Sequence, residues 1–210
     1  TAIDQTRAAP VPTPIGTDPR IAWADYALDA RVMLVRLGED HYVVPPEPMT
    51  FGDWITRGHP VGFPGPEDLE YHLTTLFPPV RPRGWLELRM LDALPDPWWK
   101  VATAVIAVLL RDPSVGNALL PALATAPADY RDAARQGLEH PELARAARRC
   151  FAVAIDAFDP ADVGVETIAA TVEYVDRFVA RGRTPADDRL DAWRASGTLL
   201  PDAEPVRERT

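Results

Sequence analysis

The chain has 210 residues, 47% of them apolar and 25% charged, and a formal net charge of −9. That is enough apolar material for a packed core, and the acidity excludes a general nucleic-acid surface. A single cysteine, Cys150, excludes an internal disulfide or a cysteine metal cage and fits a reducing, cytoplasmic setting, while the longest apolar run, Val101 to Leu110, is too short to span a bilayer.

The opening, TAIDQTRAAPVPTPIG, has no methionine and no clear first element, and reads as an extended segment entered midway through a longer protein. ARVMLVR (Ala30–Arg36) and DHYVVP (Asp40–Pro45) read as two strands with a turn at Leu37–Asp40. MTFGDWITRG predicts a short helix: Thr50 can cap it, Asp53 stands at capping-box spacing and Gly58 can end it. GPEDLEYHLTTLFPP predicts a second helix. Pro66 suits its first turn, acids follow, Leu69, Leu73, Leu76 and Phe77 fall on one face, and Pro78–Pro79 stop it. RPRGWLELRMLD (Arg81–Asp92) then reads as one strand. Leu86, Leu88 and Met90 turn to one side of it, and Glu87 and Arg89 to the other.

From Pro97 onward the pattern is helical. WWKVATAVIAVLLRD is apolar nearly all round and predicts a buried helix with Trp98 and Trp99 as core anchors. Further helices fit Asp129–Leu138, Pro141–Phe158, Val165–Arg181 and Pro185–Ala195, with Gly137, Gly182 and Gly197 near their stops. The residues from Leu200 on read as a frayed tail. The expected architecture is therefore α+β, with a mixed part over residues 1–96 and a helical part over 97–210.

Chemistry concentrates in the charged strand. Three arginines and a glutamate stand between Arg81 and Arg89. A carboxylate at position 87 can hold a hard cation such as Mg²⁺. A guanidinium at 89 can grip a carboxylate or phosphoryl oxygen. Arg83, before Gly84, belongs to a surface turn. A cross-strand ion pair on a solvated face would account for Glu87 and Arg89 equally well.

The runs ALDARVMLVR, MTFGDWITRG and EDLEYHLTTLFPPVRPRGWLELRMLDALPD resemble the plant-type glutamate–cysteine ligases, in particular the actinobacterial ligases of ergothioneine synthesis. A looser likeness continues through AARQGLEHPELARAARRC and RGRTPADDRLDAW. The resemblance implies part of a glutamine-synthetase-like curved antiparallel sheet followed by a helical region. It implies ATP and Mg²⁺ as cofactors, glutamate and cysteine as substrates, and γ-glutamylcysteine made through a γ-glutamyl phosphate. Carried over by motif, Glu87 is a Mg²⁺ ligand. Arg89 holds the substrate glutamate or the transferring phosphoryl group, and Arg81 is a second anion-binding arginine. His72 and Thr75 support substrate binding, and Trp85, Met33 and Trp54 are candidates for the pocket wall. The family is about twice as long, and neither a glycine-rich phosphate loop nor a carboxylate cluster is visible here. The chain therefore resembles the C-terminal half, lacking an N-terminal half as its partner. Another carboxylate–amine ligase of the superfamily, or a non-catalytic anion-binding module, would share these residues.

Three features remain structural. Cys150 reads as a small buried residue, Arg145, Arg148 and Arg149 as a solvated face, and Asp187–Asp188 as first-turn acids.

Overall fold

The computed structural model describes residues 4–12, 16–38, 40–126 and 130–197. Asp129, at the expected start of one helix, and the tail from Leu200 lie outside the described residues. The architecture is α+β, predominantly helical, with two small antiparallel ladders. Residues 1–91 and 92–210 form two compact units.

The first unit opens with two helices that the sequence pattern does not announce. Asp4 caps α1 (Gln5–Ala8) by accepting the Thr6 N–H at 3.0 Å. Asp18 caps α2 (Pro19–Asp29), accepting the Arg20 N–H at 2.9 Å with Pro19 in the first turn. Apolar residues surround α2: Ala22, Tyr26 and Ala27 are buried, but Ile21 and Leu28 are exposed, which blurs its periodicity. The strand expected over Ala30–Arg36 contracts to β1 (Val35–Arg36), paired with β2 (Tyr42–Val43) in the register Val35↔Val43 and Arg36↔Tyr42. Its first half bonds elsewhere. Val32 N–H donates to Met49 O at 2.9 Å and Phe51 N–H to Ala30 O at 3.1 Å.

α3 (Phe51–Arg57) has the expected capping box, with Asp53 N–H to Thr50 Oγ1 at 3.0 Å and Thr50 N–H to Asp53 Oδ2 at 3.2 Å. Gly58 ends it at φ +73°, and the Phe63 ring lies 3.2 Å from where a Cβ would stand. α4 (Pro66–Thr74) starts as predicted, with Gly65 N–H bonded to Asp68 Oδ2 at 2.9 Å. Its inward side differs from the expectation. Leu69 and Phe77 are exposed, Leu76 is buried beyond the last turn, and the buried residue within the helix is His72.

His72 joins the two cores of this unit. One contains Tyr26, Ala27, Ala30 and Leu76; the other contains Val32, Val35, Phe51 and Trp54. The imidazole stacks on Phe51 with centroids 4.7 Å apart, and its Nε2–H donates to Ala27 O at 2.9 Å. The expected single strand over 81–92 is instead a hairpin of β3 (Val80–Pro82) and β4 (Leu86–Leu88), paired Val80↔Leu88, Arg81↔Glu87 and Pro82↔Leu86. Gly84, at φ +80°, makes the turn, and Arg83 is exposed there.

In the second unit α5 (Trp98–Arg111), α9 (Pro141–Asp156) and α11 (Val165–Arg177) pack around Trp98, Val101, Val105, Ala154 and Phe178. α5 is buried along one stripe rather than all round: Trp99 and Leu110 are exposed, and only Trp98 anchors the core. Trp98 meets Tyr174 and Phe178 edge-on, each at 5.5 Å. Short helices α6 (Pro113–Asn117), α7 (Leu120–Leu123), α8 (Tyr130–Gln136) and α10 (Pro160–Val163) connect these elements. α12 (Pro185–Ser196) is tied to α11 by Arg177–Asp188 at 2.8 Å, and to the connection before it by Arg183–Asp188 at 3.1 Å. Asp187 accepts the Thr184 N–H as a first-turn acid. Arg145, Arg148 and Arg149 are exposed, Cys150 is half-buried, and burial raises its thiol pKa. Among the described residues no helix is long and apolar enough to cross a membrane.

Burial lowers the pKa of His72, assisted by the nearby Arg7 charge, so the folded chain favours the neutral ring. The unfolded chain takes up that proton as pH falls through about 6.5. Stability from this site is therefore intact above that pH and is lost below it, until the lower folded pKa is passed. The urea midpoint of the chain is expected to fall between about pH 7 and pH 5, and His72→Gln is expected to flatten that slope.

Candidate functional site

The charged face of the β3–β4 hairpin rests on the C-terminal end of α4. A helix leaves its last four carbonyls without intrahelical partners. Here each finds a donor. Thr74 Oγ1 donates to Tyr71 O at 2.7 Å, and Thr75 Oγ1 to His72 O at 2.6 Å. Leu76 N–H donates to Leu73 O at 3.4 Å, and Arg81 Nη1 to Thr74 O at 3.2 Å. Arg81 Nη1 also reaches Leu76 O at 2.9 Å. The carbonyl between them, Thr75 O, accepts from Arg7 Nη2. Two buried guanidiniums thus grip three consecutive carbonyls, where the helix dipole also favours positive charge.

The other edge of Arg81 belongs to Glu87, its partner across the ladder. Nε and Nη2 both approach Glu87 Oε2, at 2.8 and 2.7 Å. The second oxygen, Oε1, accepts from Arg89 Nη1 at 2.6 Å. The hydrogen bond from Arg81, joined by that from Arg89, holds the Glu87 carboxyl below the usual carboxylate range, so it is ionised at neutral pH. Two cations and one anion leave a net positive charge.

The two arginines differ in what they still offer. The Arg81 side chain is 7% exposed; it donates three hydrogen bonds, to Glu87, Thr74 O and Leu76 O, and its Nη2 stands against the same Glu87 oxygen. The Arg89 side chain is 31% exposed and makes one side-chain hydrogen bond among the described residues. Its guanidinium carbon lies 5.2 Å from the centre of the Phe77 ring, which steadies it from below. Arg89 is the group with N–H donors open to a ligand.

The opposite face of the hairpin is its apolar one. Leu86 and Met90 are exposed. Val80, Pro82 and Leu86 line an apolar recess of about 540 Å³ with Pro10, Val11 and Trp23. The charged side packs inward because the carbonyls of α4 need its donors.

The structure therefore brings Arg81, Glu87 and Arg89 together. It places His72 and Thr75 in the interior, where they join α4 to its surroundings. Trp85 and Met33 are exposed and Trp54 is a core residue. Two participants escape the sequence reading. Phe77 reads there only as part of an apolar face, and Arg7 carries no local signal, since its acceptors lie at Arg31, Met33 and Thr75.

As for a cation, Glu87 is one carboxylate with both oxygens already accepting hydrogen bonds. Among the described residues no three His, Cys, Asp or Glu stand together. The six oxygens that Mg²⁺ takes are not assembled by these residues. Glu87 has room for one further contact, through a lone pair of Oε1.

This arrangement stands in a chain whose residues 1–206 match the sequence profile of glutamate-cysteine ligase family 2 (GCS2). The chain belongs to glutamate-cysteine ligase family 2. It is 39% identical over 204 residues to the glutamate–cysteine ligase EgtA of Mycobacterium tuberculosis (strain H37Rv), covering 93% of this chain and 44% of that protein. It is also 39% identical over 197 residues to EgtA of Mycolicibacterium smegmatis, covering 93% of this chain and 45% of that protein. The family-2 chain described here thus spans a little under half the length of these relatives.

Replacing Arg81 by Met removes one partner of Glu87 and the donor to Thr74 O and Leu76 O together. Glu87 keeps Arg89, so the loss is chiefly that of the donor to the carbonyls; an unsatisfied buried carbonyl costs about 1–3 kcal/mol, and Arg81→Met is expected to lose stability on that scale in urea denaturation.

Proposed function

We propose that this chain supplies the anion-gripping part of an ATP-dependent glutamate–cysteine ligase serving ergothioneine synthesis or another low-molecular-weight thiol. One observation carries the reading: an ionised Glu87 clamps Arg89 from one side and leaves its remaining N–H groups open, in a chain of glutamate-cysteine ligase family 2. In the proposed reaction the side-chain carboxylate of glutamate attacks the γ-phosphorus of ATP and ADP leaves. The amine of cysteine then attacks the acyl carbon of the γ-glutamyl phosphate. Phosphate departs, the nitrogen gives up a proton, and γ-glutamylcysteine is formed. Both steps crowd anions together, and a fixed guanidinium offsets that charge without reorganising.

Arg89 is the contact to the phosphoryl group or the substrate carboxylate. Arg81 acts by holding Glu87 and the end of α4, and His72 and Thr75 act as supports. Mg²⁺, when bound, would neutralise phosphate charge. Glu87 is the one residue of this cluster able to touch it, and the other ligands would come from the remaining half of a family-length protein. The same half would extend the sheet toward a glutamine-synthetase-like curve. A two-stranded hairpin is marginal alone in water, and β3–β4 has an apolar face still open. The half-buried, protonated Cys150 suits a reducing, cytoplasmic setting.

The test is ADP release by the complete polypeptide that carries these residues. Release that requires both glutamate and cysteine is expected. Arg89→Ala is expected to lower kcat/KM by roughly 30-fold, corresponding to about 2 kcal/mol for a truncated charged hydrogen bond. Release independent of cysteine would overturn the choice of acceptor, and an unchanged kcat/KM would remove Arg89 from the site.

A further inference from the structure

Arg7 is a buried cation whose side-chain hydrogen bonds, among the described residues, avoid carboxylates. It is 6% exposed. Its Nη1 donates to Arg31 O at 3.0 Å, and its Nη2 donates to Thr75 O and to the Met33 sulfur. Burial pulls its pKa down, countered in part by Asp4. Keeping a guanidinium there takes several strong hydrogen bonds to main-chain oxygens. What those bonds hold is the segment beneath the site. Arg7 Nη2 fixes Thr75 O, the middle carbonyl of the three whose outer members are held by Arg81. The carbonyl of Arg7 itself accepts the Phe77 N–H at 2.7 Å. The Phe77 ring lies under Arg89. One residue of α1 therefore bonds to this segment at two points, its side chain to the carbonyl ladder that orients Arg81 and its main-chain carbonyl to the N–H of the residue whose ring carries Arg89.

We infer that Arg7 is a positioning residue for the Arg81–Glu87–Arg89 cluster, clamping residues 75–77 so that the Arg89 guanidinium is presented in one orientation. The anion-binding consequence rests on the function proposed above; the positional consequence does not. A flexible anchor would let the fork of Arg89 swing, and an anion would then meet fewer aligned N–H groups.

The experiment is ¹⁵N-detected side-chain NMR of the full chain, following the Nε–H signals of Arg81 and Arg89 with and without inorganic phosphate. Arg7→Met is expected to move both signals before any phosphate is added. It is also expected to weaken phosphate binding by about fivefold or more, the loss of roughly one aligned hydrogen bond. Phe77→Leu leaves Arg7 in place and is expected to move the Arg89 signal but not that of Arg81. A merely structural role predicts a lower urea midpoint for Arg7→Met with both signals and the phosphate affinity unchanged, and that result overturns the inference. If Arg7→Met does not fold, Arg7→Lys keeps a cation without the planar fork, and wild-type Arg81 and Arg89 signals in that variant overturn it equally. If phosphate leaves the wild-type Arg89 signal in place, the proposed anion site fails, while the ligand-free shifts still decide the role of Arg7.

Discussion

The end of α4 is the constraint around which the first unit is arranged. The carbonyls from Tyr71 to Leu76 must all find donors once Pro78 and Pro79 forbid the helix from continuing. Local side chains serve the first of them. The outer ones are served by Arg7 and Arg81, from opposite directions in the sequence. An unpaired buried carbonyl would cost about 1–3 kcal/mol, so two guanidiniums are drawn into an interior that ordinarily rejects them. Their charge is tolerable there because the helix presents its negative end to them.

The inverted hairpin follows from this. A two-stranded ladder beside a core ordinarily turns its apolar side inward. Here the apolar side stays open and the charged side is the packed one, since the inward neighbours of β3 are carbonyl oxygens. Arg81 cannot be inside without a counter-charge, and Glu87 stands opposite it across the ladder. Glu87 has a second oxygen to satisfy, and Arg89, two residues on along the same face, meets it. Arg89, the proposed anion-binding group, is thus the outermost member of a chain of satisfied charges that begins at a helix terminus. The ionised carboxylate is already paid for by structure before any ligand arrives.

The site was legible in the sequence as a set of residue types and illegible as a division of labour. Period-two alternation put Glu87 and Arg89 side by side correctly, because that relation is local to three residues. It could not distinguish Arg81 from Arg89, since both are arginines near one glutamate. The difference lies in where α4 stops in space. Likewise His72 has the composition of a ligand, yet the stacking on Phe51 and the bond to Ala27 O make it a joint between two cores. Those partners lie 21 and 45 residues before it in the chain.

Capping boxes, proline starts and glycine stops determined α3, α4, α9 and α12 from the sequence alone, because each is a local requirement met within about one turn. Family membership was equally visible, carried by a long charged motif rather than by any one residue. Tertiary structure alone decided that Arg81 pairs with Glu87 across a hairpin, that α5 is buried along one stripe, and that Arg7 bonds to the end of α4. These depend on which groups meet across long stretches of chain, and no local periodicity records that.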